Sequence, residues 1–211
     1  SRFRYSIMDQ VGDLKRKIIS ILDRVFPEYE TLFSSVFIKT SRSLLKEAVT
    51  AQEIADFDLS ELTELLKSNS RGRFGLEKAN HIQDLARQSV GVCFLQDAVR
   101  IEMGCLLDQL DLLLDQIAHL DDSIAEIMDR IPQHITSIPG IGPVTGAAIL
   151  AEISDVNRFE SSEKIVAYAG IDPSVYETGQ FKAAQAHMSK RGSPYLRRAL
   201  WQAASMAAMY D

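Results

Sequence analysis

Apolar residues recur at helical spacing from the start of the chain. Ile7, Val11, Leu14, Ile18, Ile21, Leu22 and Val25 share one face and predict a helix over residues 4–25, ending at Phe26-Pro27. Residues 29–49 predict one or two shorter helices. Thr50-x-x-Glu53 and Asp58-x-x-Glu61 have the form of capping boxes, opening helices near 51–55 and 59–68. A turn, SNSRGRFG, precedes another helix from Leu76 to about Val90, and Gly91 leaves open whether it runs on. The clearest period follows. Leu106, Leu110, Leu113, Ile117, Leu120, Ile124 and Ile127 alternate steps of four and three, a heptad seam that extends upstream through Val99 and Met103 with one stutter. One helix cannot bury such a seam alone. Its partner is either residues 6–25 of the same chain or the same helix of a second copy, and the homodimer is the favoured reading.

Beyond Pro132 the texture changes to short segments with frequent glycine and proline. Helices are predicted from Pro143 to about Ile153 and from Ser161 or Ser162 to Ala169, stopping at Gly170. "IDPSVYETGQF" reads as irregular chain or a short hairpin. The last helix begins at Ser193-Pro194, serine as N-cap and proline at the first helical position, with Leu196, Leu200, Ala203 and Ala207 facing inward. The fold class is all-α with at most one short hairpin. Its organisation is a helical arm (1–91), a coiled-coil helix (92–134) and a small C-terminal domain (135–211).

Within that domain "SIPGIGPVTGAAIL" places Pro139, Gly140, Gly142 and Pro143 around one isoleucine and then runs into small helix formers. This fits a helix-hairpin-helix over 135–153. Gly140 and Gly142 let the backbone turn, Ile141 anchors the turn from inside, and Gly146, Ala147 and Ala148 permit close helix packing. The unpartnered amides at the start of the second helix would face outward at the positive end of its dipole, a phosphate site that ignores base sequence. The plain alternative is a structural turn that binds nothing.

Charge sharpens this reading. The chain of 211 residues carries a net charge of −6, which argues against a protein that coats nucleic acid uniformly. The average conceals a division: nine acids against Arg100 and Arg130 in residues 92–130, but no acid in residues 178–210, which hold Lys182, Lys190, Arg191, Arg197 and Arg198. An acidic structural arm and an end suited to a polyanion follow. No apolar run is long enough to span a bilayer, so no membrane partner is expected. Cys93 and Cys105, about 18 Å apart if on one helix, cannot pair, and read as buried thiols of a reducing cytoplasm. The opening SRFRYSIM and the stop within a helical pattern read as a piece of a longer protein.

The blocks "IPGIGPVTGAAILAEISDVNRF", "KIVAYAGIDPSVYETGQF" and "MSKRGSPYLRRALWQAA" closely resemble, in order and spacing, the C-terminal transposase domain of a bacterial family. This family comprises the insertion-sequence transposases with a RuvC-like N-terminal nuclease domain, the bridge-RNA-guided recombinases. Residues 1–134 resemble the helices and coiled coil between the family's two domains. The resemblance implies a bacterial, cytoplasmic DNA recombinase that binds a guide RNA and works as a dimer pairing into tetramers. It implies Mg²⁺ held by four acids of an N-terminal domain absent from this sequence, so no metal ligand and no cofactor is assigned here, and this piece alone is expected not to cut DNA. The family's nucleophile is a serine preceding a glycine; the matching position is Thr178, in "VYETGQF", whose extra methyl restricts χ1 and crowds an in-line approach. Ser189 is the second candidate. Lys182, Lys190, Arg191, Arg197 and Arg198 fit phosphate neutralisation, together with Gly140, Ile141 and Gly142 of the hairpin. His187 fits a phosphate contact or a general base. Tyr195 and the lone Trp201 could stack on bases, although for Trp201 a place in the core is the favoured reading. Two other functions fit the same residues: a non-catalytic helix-hairpin-helix module for nucleic-acid binding and dimerisation, and a purely structural oligomerisation element.

Overall fold

Nine helices form where the periodicity places them among the residues that the computed structural model describes: 1–92, 96–174, 177–178, 181–182 and 187–210. They are α1 (Arg2–Val25), α2 (Lys39–Glu47), α3 (Ala51–Asp56), α4 (Leu59–Asn69), α5 (Leu76–Gln88), α6 (Gln96–Arg130), α7 (Pro143–Ile153), α8 (Ser162–Ala169) and α9 (Pro194–Tyr210). Two strands of two residues each, β1 (Glu177–Thr178) and β2 (Phe181–Lys182), pair antiparallel with Thr178 opposite Phe181. Among the described residues the protein is all-α apart from these two short strands.

Local chemistry explains the helix starts. Thr50 and Glu53 form the anticipated capping box, each side chain taking the other residue's backbone amide. Asp58 caps α4 by accepting from the amides of Ser60 and Glu61. Gly91 does interrupt the helical run. A Cβ there would lie 2.1 Å from the Val25 carbonyl oxygen, so the chain crosses the end of α1 at backbone distance, and Val92 donates to the Arg24 carbonyl at 2.8 Å.

The chain divides into two compact units. One comprises Ile7–Gln116 and the other Ser1–Ser6 with Ile117–Asp211, so α1 and α6 each contribute to both. The gaps after α5 and after α6 mark where helices end; the units themselves divide inside continuous helices.

The unit of residues 7–116 has a core of Ile18, Leu22, Phe26, Tyr29, Leu44, Leu45, Ile54, Leu62, Leu66 and Ile82, all fully buried. Phe26, Tyr29, Phe33 and Phe74 form a chain of tilted ring contacts through it. Here α6 packs on its own chain. Met103, Leu106 and Leu110 of the seam are buried, and so is Leu107 beside it. Its acids are not all solvated: Asp111 pairs with Arg42 and Lys46 of α2, Asp108 with Lys46, and Arg100 with Glu53.

The other unit packs α7 against α9 through small side chains. Ala148, Ile149, Ala169, Leu196, Ala199 and Ala203 form the core together with Tyr5 from the start of α1. Gly146 lets α7 approach α6 and the chain before it: a Cβ would meet Ile135 at 3.0 Å and Met128 at 3.3 Å.

Three expectations need correction. Cys105 is exposed, because Met103, Leu106 and Leu107 take the inward face of α6 and position 105 points away; Cys93 lies outside the described residues. The heptad seam is not a uniform stripe. Ile117 is buried, Leu113, Leu120 and Ile124 are half-buried and Ile127 is 48% exposed, while Met128, off the seam, is buried. Trp201 is 69% exposed. It stands two positions from each of the buried Ala199 and Ala203, which sets it about 160° from either at 100° per residue, on the far side of α9.

Candidate nucleic-acid interface

Pro139 to Pro143 form a turn between a 3₁₀ turn (Ile135–Ser137) and α7. Gly140 and Gly142 do different work. Gly140 has φ +83° and sits against α9, where a Cβ would fall 2.5 Å from the Ala207 amide nitrogen. No side chain fits, and the left-handed backbone independently favours glycine. Gly142 has φ −81° as the N-cap of α7, and an added Cβ would meet nothing within 4 Å. Ile141 is half-buried against the core and its amide donates to the Ile138 carbonyl. Pro139, Gly142 and Pro143 are exposed, and no side chain caps α7. The turn is therefore open to solvent, its second glycine facing free space.

Glu152, the penultimate residue of α7, is 7% exposed. A carboxylate there opposes the negative end of that helix's dipole and needs positive partners. It has two. Arg2 of α1 donates from Nε to Oε1 at 2.7 Å and from Nη2 to Oε2 at 3.0 Å. The Ser193 hydroxyl donates to Oε2 at 2.8 Å while accepting the Leu196 amide as N-cap of α9. Hydrogen bonding to Arg2 holds the Glu152 carboxyl below its ordinary range; burial opposes the shift and Ser193 adds to it. Aromatic contacts extend the clasp. Tyr5 stacks on Tyr195, Arg2 lies over the Tyr195 ring and Arg198 over Tyr5.

The cationic segment enters α9 through a backbone ladder. Residues 168–174 run beside residues 187–193: the Ser174 amide donates to His187, Ser189 to Asp172, Lys190 to Gly170 and Ser193 to Tyr168. Gly170 (φ +67°) and Gly192 touch back to back, since a Cβ on Gly192 would lie 2.1 Å from the Tyr168 carbonyl oxygen. Ser189 donates its hydroxyl to Asp172 Oδ1 at 2.5 Å. Lys190 is left-handed at φ +54°, and it and Arg191 are exposed. Arg197 donates to the Ala169 carbonyl at 3.0 Å. His187 is exposed, and its carbonyl accepts from the amide and hydroxyl of Ser174.

These positions sort the residues singled out in the sequence. Lys190 and Arg191 are presented to solvent, Arg197 and Arg198 are half-buried with anchored guanidinium groups, and Tyr195 is held on Tyr5. Ser193 is a cap. Thr178 and Lys182 lie on the short hairpin, with side chains outside the described residues. The hairpin turn and the outer face of α9 are separate surfaces: Met206 and Ala207, which back Gly140, lie about 140° and 120° around α9 from Trp201. Sequence reasoning passed over Glu152, whose only trace is one acid inside "GAAILAEI", an otherwise apolar helix.

A small helical unit with an open glycine turn and an acid-free cationic helix is thus defined by its own geometry. Comparison with known proteins places its sequence. Residues 132–211 match the family described as "Transposase IS116/IS110/IS902 family". Over 68 residues, 32% of this chain, it is 34% identical to the transposase for insertion sequence element IS1111A of Coxiella burnetii. It is 38% identical over 72 residues, 34% of this chain, to the transposase for insertion sequence element IS1328 of Yersinia enterocolitica. A probable family 20 transposase of Pseudomonas aeruginosa is 32% identical over 68 residues. The matched stretches are 18%, 21% and 20% of those relatives' lengths. The C-terminal part of the chain is thus similar in sequence to short stretches of insertion-sequence transposases. No described helix is long and apolar enough to cross a membrane.

The clasp has a pH signature. Because the folded carboxyl titrates below its unfolded value of about 4.5, Glu152 stabilises the unit above that pH and loses its contribution as pH falls through the folded value. Glu152→Gln therefore unfolds at lower urea than the parent at pH 7, and the two midpoints converge in acid; equal midpoints at pH 7 would contradict the clasp.

Proposed function

We propose that this chain is the DNA-engaging part of an insertion-sequence recombinase. The observation that carries the reading is the match of residues 132–211 to a transposase family, over the segment that combines an open, uncapped glycine turn with an acid-free cationic helix. In this reading the amides of Gly142, Val144 and Thr145 receive a phosphate oxygen at the positive end of α7, and Lys190 and Arg191 neutralise neighbouring phosphates. Both contacts address the sugar-phosphate backbone, so they fix position without reading sequence.

The chemical step assigned to the parent protein is attack by the Thr178 hydroxyl oxygen on a phosphodiester. A new O–P bond forms, the bond from phosphorus to one deoxyribose oxygen breaks, and that oxygen leaves with the proton as a free hydroxyl. Reversal with a different strand's hydroxyl reseals the backbone. Ser189 is the weaker candidate, since its hydroxyl is committed to Asp172. Among the described residues no three His, Cys, Asp or Glu side chains gather to hold a metal ion. No step is routed through the Mg²⁺ that the resemblance implies. A guide RNA and a second copy complete the reading; Ile101 (69% exposed) and Leu112 (57% exposed) on α6 are apolar positions a second copy would cover.

The two hairpin glycines separate binding from folding. Gly142→Ala leaves urea stability unchanged and weakens binding of a labelled duplex by about three- to tenfold, the loss of one backbone contact. Gly140→Ala destabilises the unit by about 1–3 kcal/mol through overpacking against α9. A Gly142→Ala variant that binds like the parent would remove the hairpin from the interface. Thr178→Ser, in a protein carrying the acidic nuclease domain, raises the rate at which covalent protein–DNA adducts accumulate; an unchanged rate would take Thr178 out of the nucleophile's role, and a protein that binds DNA but never forms adducts is the non-catalytic module.

A further inference from the structure

Trp201 lies 69% exposed in the middle of α9. A scattered apolar residue on a surface needs no explanation, but the surroundings of this one are organised. Arg197 and Arg198 stand four and three positions before it, so both occupy the same side of the helix one turn away, about 5.4 Å along the axis. Both guanidinium groups are fixed, Arg197 on the Ala169 carbonyl and Arg198 over the Tyr5 ring. Ala204 and Ala208, three and seven positions after the tryptophan, are exposed too. Their methyl side chains leave the indole face unobstructed in that direction. No acid occurs anywhere from residue 178 to residue 210. The result is an exposed aromatic side chain with two anchored arginines one turn to its N-terminal side.

We infer that Trp201 is a stacking platform for an unpaired base of single-stranded DNA, with Arg197 and Arg198 attracting the adjoining phosphates. Charge complementarity selects a polyanion. A flat exposed ring selects an unpaired base, because a base within a duplex already has both faces stacked. DNA is the committed occupant because the inference rests on the transposase reading above. The platform is distinct from the hairpin turn, which meets α9 about 120–140° away around its axis. Strand exchange requires separated strands at some stage, and this surface would hold one without regard to its sequence.

Trp201 is the chain's single tryptophan, so intrinsic fluorescence reports this position alone. Titrating the 211-residue chain with oligothymidine is expected to quench it saturably, and a blunt duplex of equal length is expected to leave it nearly unchanged. By anisotropy of labelled oligonucleotides, Trp201→Ala should weaken single-strand binding about tenfold, with Trp201→Phe within about threefold of the parent and duplex binding unaltered in both. An exposed site makes both variants fold as the parent does, which thermal melting checks. Single-strand binding without quenching, or equal losses on single strand and duplex, would overturn the platform while leaving the hairpin reading intact. Tighter binding to RNA of the same sequence would overturn the choice of DNA. Absence of binding to any nucleic acid would sink both readings together.

Discussion

One buried carboxylate organises the C-terminal unit. Glu152 sits at the end of α7 where the helix dipole disfavours it, and its two oxygens are shared between a guanidinium from the first turn of α1 and the hydroxyl that caps α9. The arrangement resolves two problems at once. Positive charge from Arg2 and the positive end of α9 offset the dipole of α7, and the same hydroxyl satisfies an otherwise orphaned amide at the start of α9. Three elements distant in sequence thereby share one polar node, and Tyr5, Tyr195 and Arg198 stack around it. Residues 1–6 are for this reason a structural part of a unit whose other members begin at residue 117.

Fixing the start of α9 has consequences along its length. Its inward face is Leu196, Ala199 and Ala203, small enough for α7 to approach closely, and near its far end it meets Gly140 backbone to backbone. The hairpin turn is therefore positioned by α9, while Gly142 and Pro143 stay open. What remains outward on α9 carries no acid: Tyr195 and Trp201 stand beside Ala204, Met206, Ala208 and Met209, with Arg197 and Arg198 half-exposed. Arg197 and Arg198 are thus carried on a helix, with guanidinium groups already ordered by contacts within the protein, so less conformational entropy is lost when a polyanion is bound.

Most of this fold could be read from the sequence, since helix boundaries rest on local chemistry: the Thr50–Glu53 box, the Asp58 cap, Gly170 in the left-handed conformation and Ser193-Pro194 all lie where spacing put them. Three features lay beyond it. The destination of the α6 seam depends on tertiary partners, and α6 packs partly on its own chain, burying Met103, Leu106 and Leu110 while α2 supplies cations for Asp108 and Asp111. Trp201 looked like core because large aromatic residues usually bury, yet the inward positions of α9 were already taken by alanines and leucines. Glu152 was missed because its partner Arg2 is 150 residues away, and periodicity carries no information over that separation. Of the candidate site, the glycine turn and the acid-free segment were legible as composition. What was not legible is that the turn and the outer face of α9 point in different directions.

A protein of net charge −6 is repelled by a polyanion as a whole, so any affinity must come from charge confined to one surface. The most direct test is the salt dependence of binding to a DNA duplex by the 211-residue chain. With Lys190, Arg191 and the two anchored arginines supplying about two to four phosphate contacts, log affinity should fall linearly against log salt with a slope of about −2 to −3.5. A slope near zero, or no binding even at low ionic strength, would contradict the account.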